Sequence, residues 1–84
     1  MGVRLHPHAS ERAAERGARE TEIVLAVREG ERFAAKHGRT RFVKSFPHAG
    51  SVRDRPCLEK QLEVIAVRDG LDWLVITVIV RYFR

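Results

Sequence analysis

Cysteine is nearly absent: Cys57 is the single sulfhydryl in 84 residues. That excludes an internal disulfide and a cysteine-based zinc motif, and it fits a reducing compartment. No glycine-rich phosphate loop exists either, because Gly30, Gly38, Gly50 and Gly70 are each isolated at places where a helix stop or a turn accounts for them. Long hydrophobic runs are missing. The most apolar stretch, Trp73 to Val80, is too short to span a bilayer, and the N-terminal MGVRLHPHASER lacks the apolar segment of a signal peptide. The expectation is a soluble, cytoplasmic protein with no membrane partner. Internal repeats and low-complexity tracts are absent, and 84 residues support one domain, residues 1–84, without a second core or a large enclosed cavity.

What the chain does have is charge. Lysine and arginine total 16 against 11 acidic residues, a formal +5, and only Lys36, Lys44 and Lys60 of the 16 are lysine. Arginine presents a planar fork that suits phosphate and carboxylate, so a nucleic acid or an acidic protein is a better partner than a neutral metabolite. A solvated basic surface has the same composition. The hydrophobic fraction of 44% is that of an ordinary globular domain and argues against disorder.

The segment from Pro7 to Gly17, rich in Ala, Glu and Arg, predicts a short helix with Gly17 as its stop and only alanines as its apolar face. A second helix is expected from a Thr21 N-cap to Gly30, burying Ile23, Val27 and either Val24 or Leu25. After Gly30 the pattern turns to β-formers. Residues 32–36 and 40–46 flank a turn at His37-Gly38-Arg39, and 59–67 and 72–83 flank Asp69-Gly70, a strong hairpin signal. Pro47 to Pro56 reads as a polar loop. The expected fold is α+β: two short N-terminal helices followed by a four-stranded antiparallel sheet.

Strict alternation along the last strand places Leu74, Ile76, Val78, Val80 and Tyr82 on one face, with Trp73, Val75, Thr77, Ile79, Arg81 and Phe83 on the other. Both faces are largely apolar, which predicts a central strand covered on both sides. Two short helices cover one side of such a sheet, so the second face calls for a partner (a homodimer or another protein), a fold-over of the sheet, or an exposed patch.

His8, Arg12 and Arg16 recur every fourth residue, which on a helix sets their polar tips in a row. An imidazole beside two guanidiniums binds phosphate and transfers a proton. The alternative is an exposed helix whose Glu11 and Glu15 pair with Arg12, Arg16 or Arg19. His6, His8 and one of His48 or Cys57 form a conceivable zinc set, but an isolated His-x-His without a second paired motif is weak evidence, and neither metal nor cofactor is expected.

The string from His8 through Arg12 and Arg16 to Gly17, the helix ending Arg28-Glu29-Gly30 and the late strand Trp73 to Val78 resemble a bacterial family of unknown function with a His-x3-Arg-x3-Arg-Gly motif. That family looks related to the RelE and BrnT toxins of toxin–antitoxin pairs. The resemblance implies a compact RelE/BrnT-like helix-plus-antiparallel-sheet fold. It also implies an endoribonuclease that cuts mRNA and is silenced by an acidic antitoxin. Metal-free cleavage of RNA needs a base for the ribose 2′-OH, cations for the phosphorane and an acid for the leaving oxygen. His8 is the proton-transfer candidate, since an imidazole titrates near neutrality. Arg12, Arg16 and Arg81 are the candidates for holding the phosphate, with Arg19 and Lys44 as further RNA contacts; Tyr82 is weaker, being assigned to the core by alternation. The competing expectation is a non-catalytic interaction module that works through its sheet face.

Overall fold

His6 and Pro7 start the first helix for a local reason: proline at the first helical position has its φ preset, and the N-cap His6 Nδ1 accepts a hydrogen bond from the His8 backbone N–H at 3.2 Å. In the computed structural model, which describes residues 2–52 and 55–83 with side chains outside 49–58, the elements are β1 (Val3–Leu5), α1 (Pro7–Arg16), α2 (Glu20–Glu29), β2 (Glu31–Ala34), β3 (Thr40–Val52), β4 (Arg55–Asp69) and β5 (Asp72–Phe83). A single 3-10 turn, Lys36–Gly38, joins β2 to β3.

Gly17 ends α1 in the left-handed region, φ 84°. The Ala18 N–H donates to Ala13 O at 2.8 Å and the Gly17 N–H to Ala14 O at 3.2 Å, so the orphan carbonyls of the last turn are closed in a Schellman arrangement. A Cβ at Gly17 would also lie 2.8 Å from the Tyr82 hydroxyl. Gly17→Ala is therefore expected to cost about 1–2 kcal/mol from the left-handed backbone alone, read as a lower midpoint in urea unfolding at an unchanged slope. α2 starts earlier than the Thr21 cap expected from the sequence. Glu22 reaches back to accept from the Arg19 backbone N–H at 2.9 Å, which makes Arg19 the N-cap and Glu20 the first helical residue.

The sheet has five strands in the order β1-β5-β4-β3-β2, antiparallel except for β1 beside β5. The fold is α+β as expected, but the four-stranded, purely antiparallel sheet is corrected. β1 is three residues long, too short to show alternation, and it forms because the chain passes beside β5. Trp73 N–H donates to Gly2 O and His6 N–H to Val75 O, both at 2.9 Å. The expected loop at 47–56 is corrected as well: β3 runs to Val52 and β4 begins at Arg55, with a register irregularity between Pro47 and Gly50. β2 pairs only with Thr40 to Val43, so Pro47 lies where β3 has a strand on one side only, a position that tolerates proline. At the β4–β5 hairpin Asp69 pairs with Asp72 across Gly70 and Leu71. Gly70, with φ 63°, takes the first central position, where a type II′ turn requires glycine.

β5 is not the middle strand; β4 is. Its side-chain alternation also breaks, because Ile65 pairs with Thr77 and Ala66 with Val75, leaving Ile76 as an extra residue. Trp73 and Val75 before the bulge therefore share a face with Val78, Val80 and Tyr82 after it, and the two-faced assignment from strict alternation is corrected. Both helices cover this face. Ala9 and Ala13 of α1 let its backbone approach β5 closely, while Ile23, Ala26 and Val27 of α2 pack on Phe42, Leu62 and Val64. Trp73 meets Phe42 edge-on at 5.0 Å, with the Arg68 and Arg32 guanidiniums over its ring at 4.5 and 5.6 Å.

The other face carries no layer of the described residues. Glu63 stands at its centre and binds both Arg81 and Arg41. Val43, Ile65, Val67, Leu74 and Ile79 around it are half-buried, and Phe33 and Phe83 are 39% and 42% exposed.

Candidate functional site

α1 continues the path of β1 along the outer edge of β5. β1 pairs with β5 only through Val75, so beyond that residue this edge has no neighbouring strand among the described residues. Arg16 closes part of it, its guanidinium donating to Val78 O at 2.6 Å. Between helix and edge lies a cleft of about 250 Å³, lined by His8, Arg12 and Arg16 on one wall and Ile76, Thr77 and Val78 on the other. The bulge at Ile76 sits in this wall, and bulges at sheet edges re-aim side chains.

The three residues at helical spacing thus meet at one place. Neither Glu11 nor Glu15 forms a salt bridge with Arg12 or Arg16; the ion pairs of the described residues lie elsewhere. Arg12 and Arg16 therefore line the cleft without an ion-pair partner among the described residues. Arg16 uses one of its five N–H groups on Val78 and keeps the others. The His8 ring is exposed and stacks on the His6 ring, 6.1 Å away and nearly parallel.

The remaining sequence-derived candidates are placed elsewhere. Arg81 lies on the uncovered sheet face, bound to Glu63. That carboxyl is held below its ordinary value mainly by the Arg81 hydrogen bond, which with Arg41 outweighs the opposing effect of burial. Lys44 faces the end of α2, 3.7 Å from Glu29 and over the Phe46 ring. Arg19 and His48 border a second cleft beyond the C-terminal end of α1, together with Gly17, Glu22, Lys60 and Tyr82. Cys57 lies among the side chains outside the described set.

Two residues that the sequence reading undervalued matter here. Tyr82 was assigned to a core face, yet its hydroxyl donates to Arg16 O at 3.1 Å and its ring borders the second cleft. Lys60 is buried, with its ammonium on Gly17 O at 3.0 Å and Glu22 Oε1 at 2.8 Å. A signal for Lys60 was present, since it continues the alternating series of Leu62, Val64 and Ala66 that faces the core. Tyr82 does lie on the helix-covered face with Val78 and Val80; that its hydroxyl meets Arg16 O at the end of α1 depends on how the helix packs on β5, which nothing local marks.

Comparison with models of known protein families, with curated proteins and with solved structures finds no match. No described helix is long and apolar enough to cross a membrane.

Proposed function

We propose that the chain is a toxin-type endoribonuclease that cleaves RNA without a metal ion, with its reaction centre in the cleft between α1 and β5. The observation that carries this reading is the convergence of His8, Arg12 and Arg16 in one cleft, where no described carboxylate pairs with either arginine. The resemblance of the His-x3-Arg-x3-Arg-Gly string to toxin-related proteins supports it. A phosphodiester enters the cleft with its non-bridging oxygens on the Arg12 and Arg16 guanidiniums, a bidentate geometry that arginine favours. His8 takes the proton of the ribose 2′-OH, O2′ bonds to phosphorus, and the P–O5′ bond breaks. The products are a 2′,3′-cyclic phosphate and a 5′-hydroxyl, whose oxygen takes its proton from water. The arginines contribute by stabilising the charge that develops on the phosphorane. Arg81, turned to Glu63 on the other side of the sheet, is outside this set.

The test is cleavage of single-stranded RNA by the purified protein in the presence of EDTA, with the ends identified as cyclic phosphate. Intact RNA in the absence and presence of divalent ions would overturn the reading. Binding should weaken with salt, at a slope of about −0.7 per neutralised phosphate on a single strand. Arg12→Ala is expected to reduce the magnitude of that slope by about 0.7, and an unchanged slope would remove Arg12 from the phosphate contacts.

A second reading rests on the uncovered sheet face, where Phe33 and Phe83 are exposed around half-buried Ile65, Leu74 and Ile79. A patch of this kind is characteristic of an interaction surface. It would be covered by an acidic antitoxin or by a second copy, and the +5 charge favours the acidic partner because like charges oppose self-association. Sedimentation equilibrium is expected to show association at high micromolar concentration. A protein that stays monomeric there, and also fails to bind an acidic partner encoded beside it, would remove this reading.

A further inference from the structure

The second cleft, about 420 Å³, is within the size of small-molecule sites, and its chemistry differs from that of the first. Its floor is the cross-strand pair Lys60 and Tyr82, and the turn from Gly17 to Arg19 forms its rim. One wall is aromatic. The His48 and Tyr82 rings lie 5.2 Å apart at 60°, and the hydrogen bond from Tyr82 to Arg16 O holds the tyrosine ring in place. The lining also offers a carboxylate. Glu22 Oε1 accepts from both Lys60 Nζ and the Arg19 N–H, and neither bond uses Oε2. An ionised carboxylate only accepts hydrogen bonds, so the ligand that fits must bring donors on one edge and a flat ring for the aromatic wall. Burial raises the Glu22 carboxyl pKa, but the bonds and charge of Lys60, together with Arg19, bring it below its ordinary value and keep it in the accepting form.

We propose that this cleft is a guanine subsite, in which the base lies against the wall formed by the His48 and Tyr82 rings, Glu22 Oε2 accepts from its N1–H and N2–H edge, and Arg19 binds the attached phosphate. The four bases differ on that edge. Guanine presents two adjacent donors; adenine and cytosine each set a ring-nitrogen acceptor beside their amino group, and uracil sets its single N–H between two carbonyls. Only guanine avoids placing an acceptor against the carboxylate. Single-stranded RNA is read by such stacking and edge contacts. The position of the cleft on an RNA path rests on the ribonuclease reading above. Arg16 lines the first cleft and its carbonyl holds Tyr82, which lines the second, so a strand that follows α1 from the reaction centre would reach the subsite. At 1.5 Å per helical residue, His8 and Gly17 are about 13 Å apart.

The experiment is an NMR titration of the full chain with guanosine, adenosine and uridine 5′-monophosphates. The guanosine nucleotide is expected to bind at least about tenfold more tightly than the adenosine nucleotide and to shift the His48 and Tyr82 ring resonances. His48→Ala is expected to weaken it about tenfold, the order that base–aromatic stacking contributes; Arg19→Ala acts in the same direction, and both are checked for folding by their melting curves. Equal affinity for the guanosine and adenosine nucleotides, or guanosine affinity unchanged in both folded variants, would overturn the proposal. RNA cleavage without guanosine binding sinks the subsite and leaves the reaction centre standing. Guanosine binding without cleavage supports the subsite and removes the ribonuclease reading.

Discussion

His8→Ala is expected to lower the rate of RNA cleavage by about 10²–10⁴-fold, the range that a positioned proton-transfer group contributes, while the fold stays intact. The two parts of that expectation have separate causes. The side chain is exposed, and surface substitutions of this kind change stability by about 0.5 kcal/mol or less. The N-cap bond from the residue-8 backbone N–H to His6 Nδ1 is retained in the alanine variant, and alanine is a strong helix former. The loss of rate follows from the reaction itself, since neither Arg12 nor Arg16 can accept the 2′-OH proton at neutral pH. Single-turnover cleavage measured beside a thermal melt separates the two. A folded His8→Ala protein that cleaves at the original rate would show that another group takes the proton.

Glu22→Ala is expected to have the largest effect on stability, about 3–5 kcal/mol, because it leaves the Lys60 ammonium buried without its counter-charge. The Lys60 side chain is only 8% exposed and that of Glu22 16%, and with Glu22 gone Gly17 O remains as the ammonium's hydrogen-bond partner among the described residues. Such a loss is a large part of the about 5–15 kcal/mol that holds a small domain together. Replacing both residues, as in Glu22→Leu with Lys60→Met, is expected to recover most of it, since removing a buried pair entirely is far cheaper than breaking it. Urea unfolding checks both, and a Glu22→Ala cost below about 1 kcal/mol would show that solvent reaches the pair. The same carboxyl predicts a pH dependence. Its folded pKa lies below the ordinary 4.5, so the unfolded chain binds its proton more tightly. The stabilisation is then fully present above 4.5 and is lost as pH falls through the lower folded value. Glu63, lowered by Arg81 and Arg41, acts in the same sense. Acid titration of the unfolding free energy should therefore slope downward below 4.5, and the Glu22→Leu, Lys60→Met protein should slope less.

Much of the local structure was legible before any coordinates. The helix stop at Gly17, the hairpin at Asp69-Gly70 and the strand from Asp72 to Phe83 all follow from short-range rules, because a left-handed glycine or a two-residue turn depends on a few neighbouring dihedrals. The row of His8, Arg12 and Arg16 was legible for the same reason, since helical spacing alone brings them to one face. The polar run at 47–56 was misleading. Proline, glycine and serine there signal a loop, but pairing with β4 carries β3 through to Val52, and an outer edge without a neighbour accommodates the proline.

The α+β class, two short helices of which the first has an alanine face and a basic row, and a largely apolar last strand were all legible in the sequence. Each of these is a property of residues near one another in the chain. The parallel pairing of β1, the bulge at Ile76, the burial of the Lys60–Glu22 pair and the two clefts arise from the tertiary structure. The physical reason is that these depend on contacts between distant segments, such as Trp73 with Gly2 and Lys60 with Gly17. One extra residue in a β-ladder reverses the side-chain faces beyond it, and no local preference announces where that residue will fall. Arg81 shows the consequence: it belongs with the cations in the sequence, while the sheet turns it to Glu63 on the opposite face from the helices.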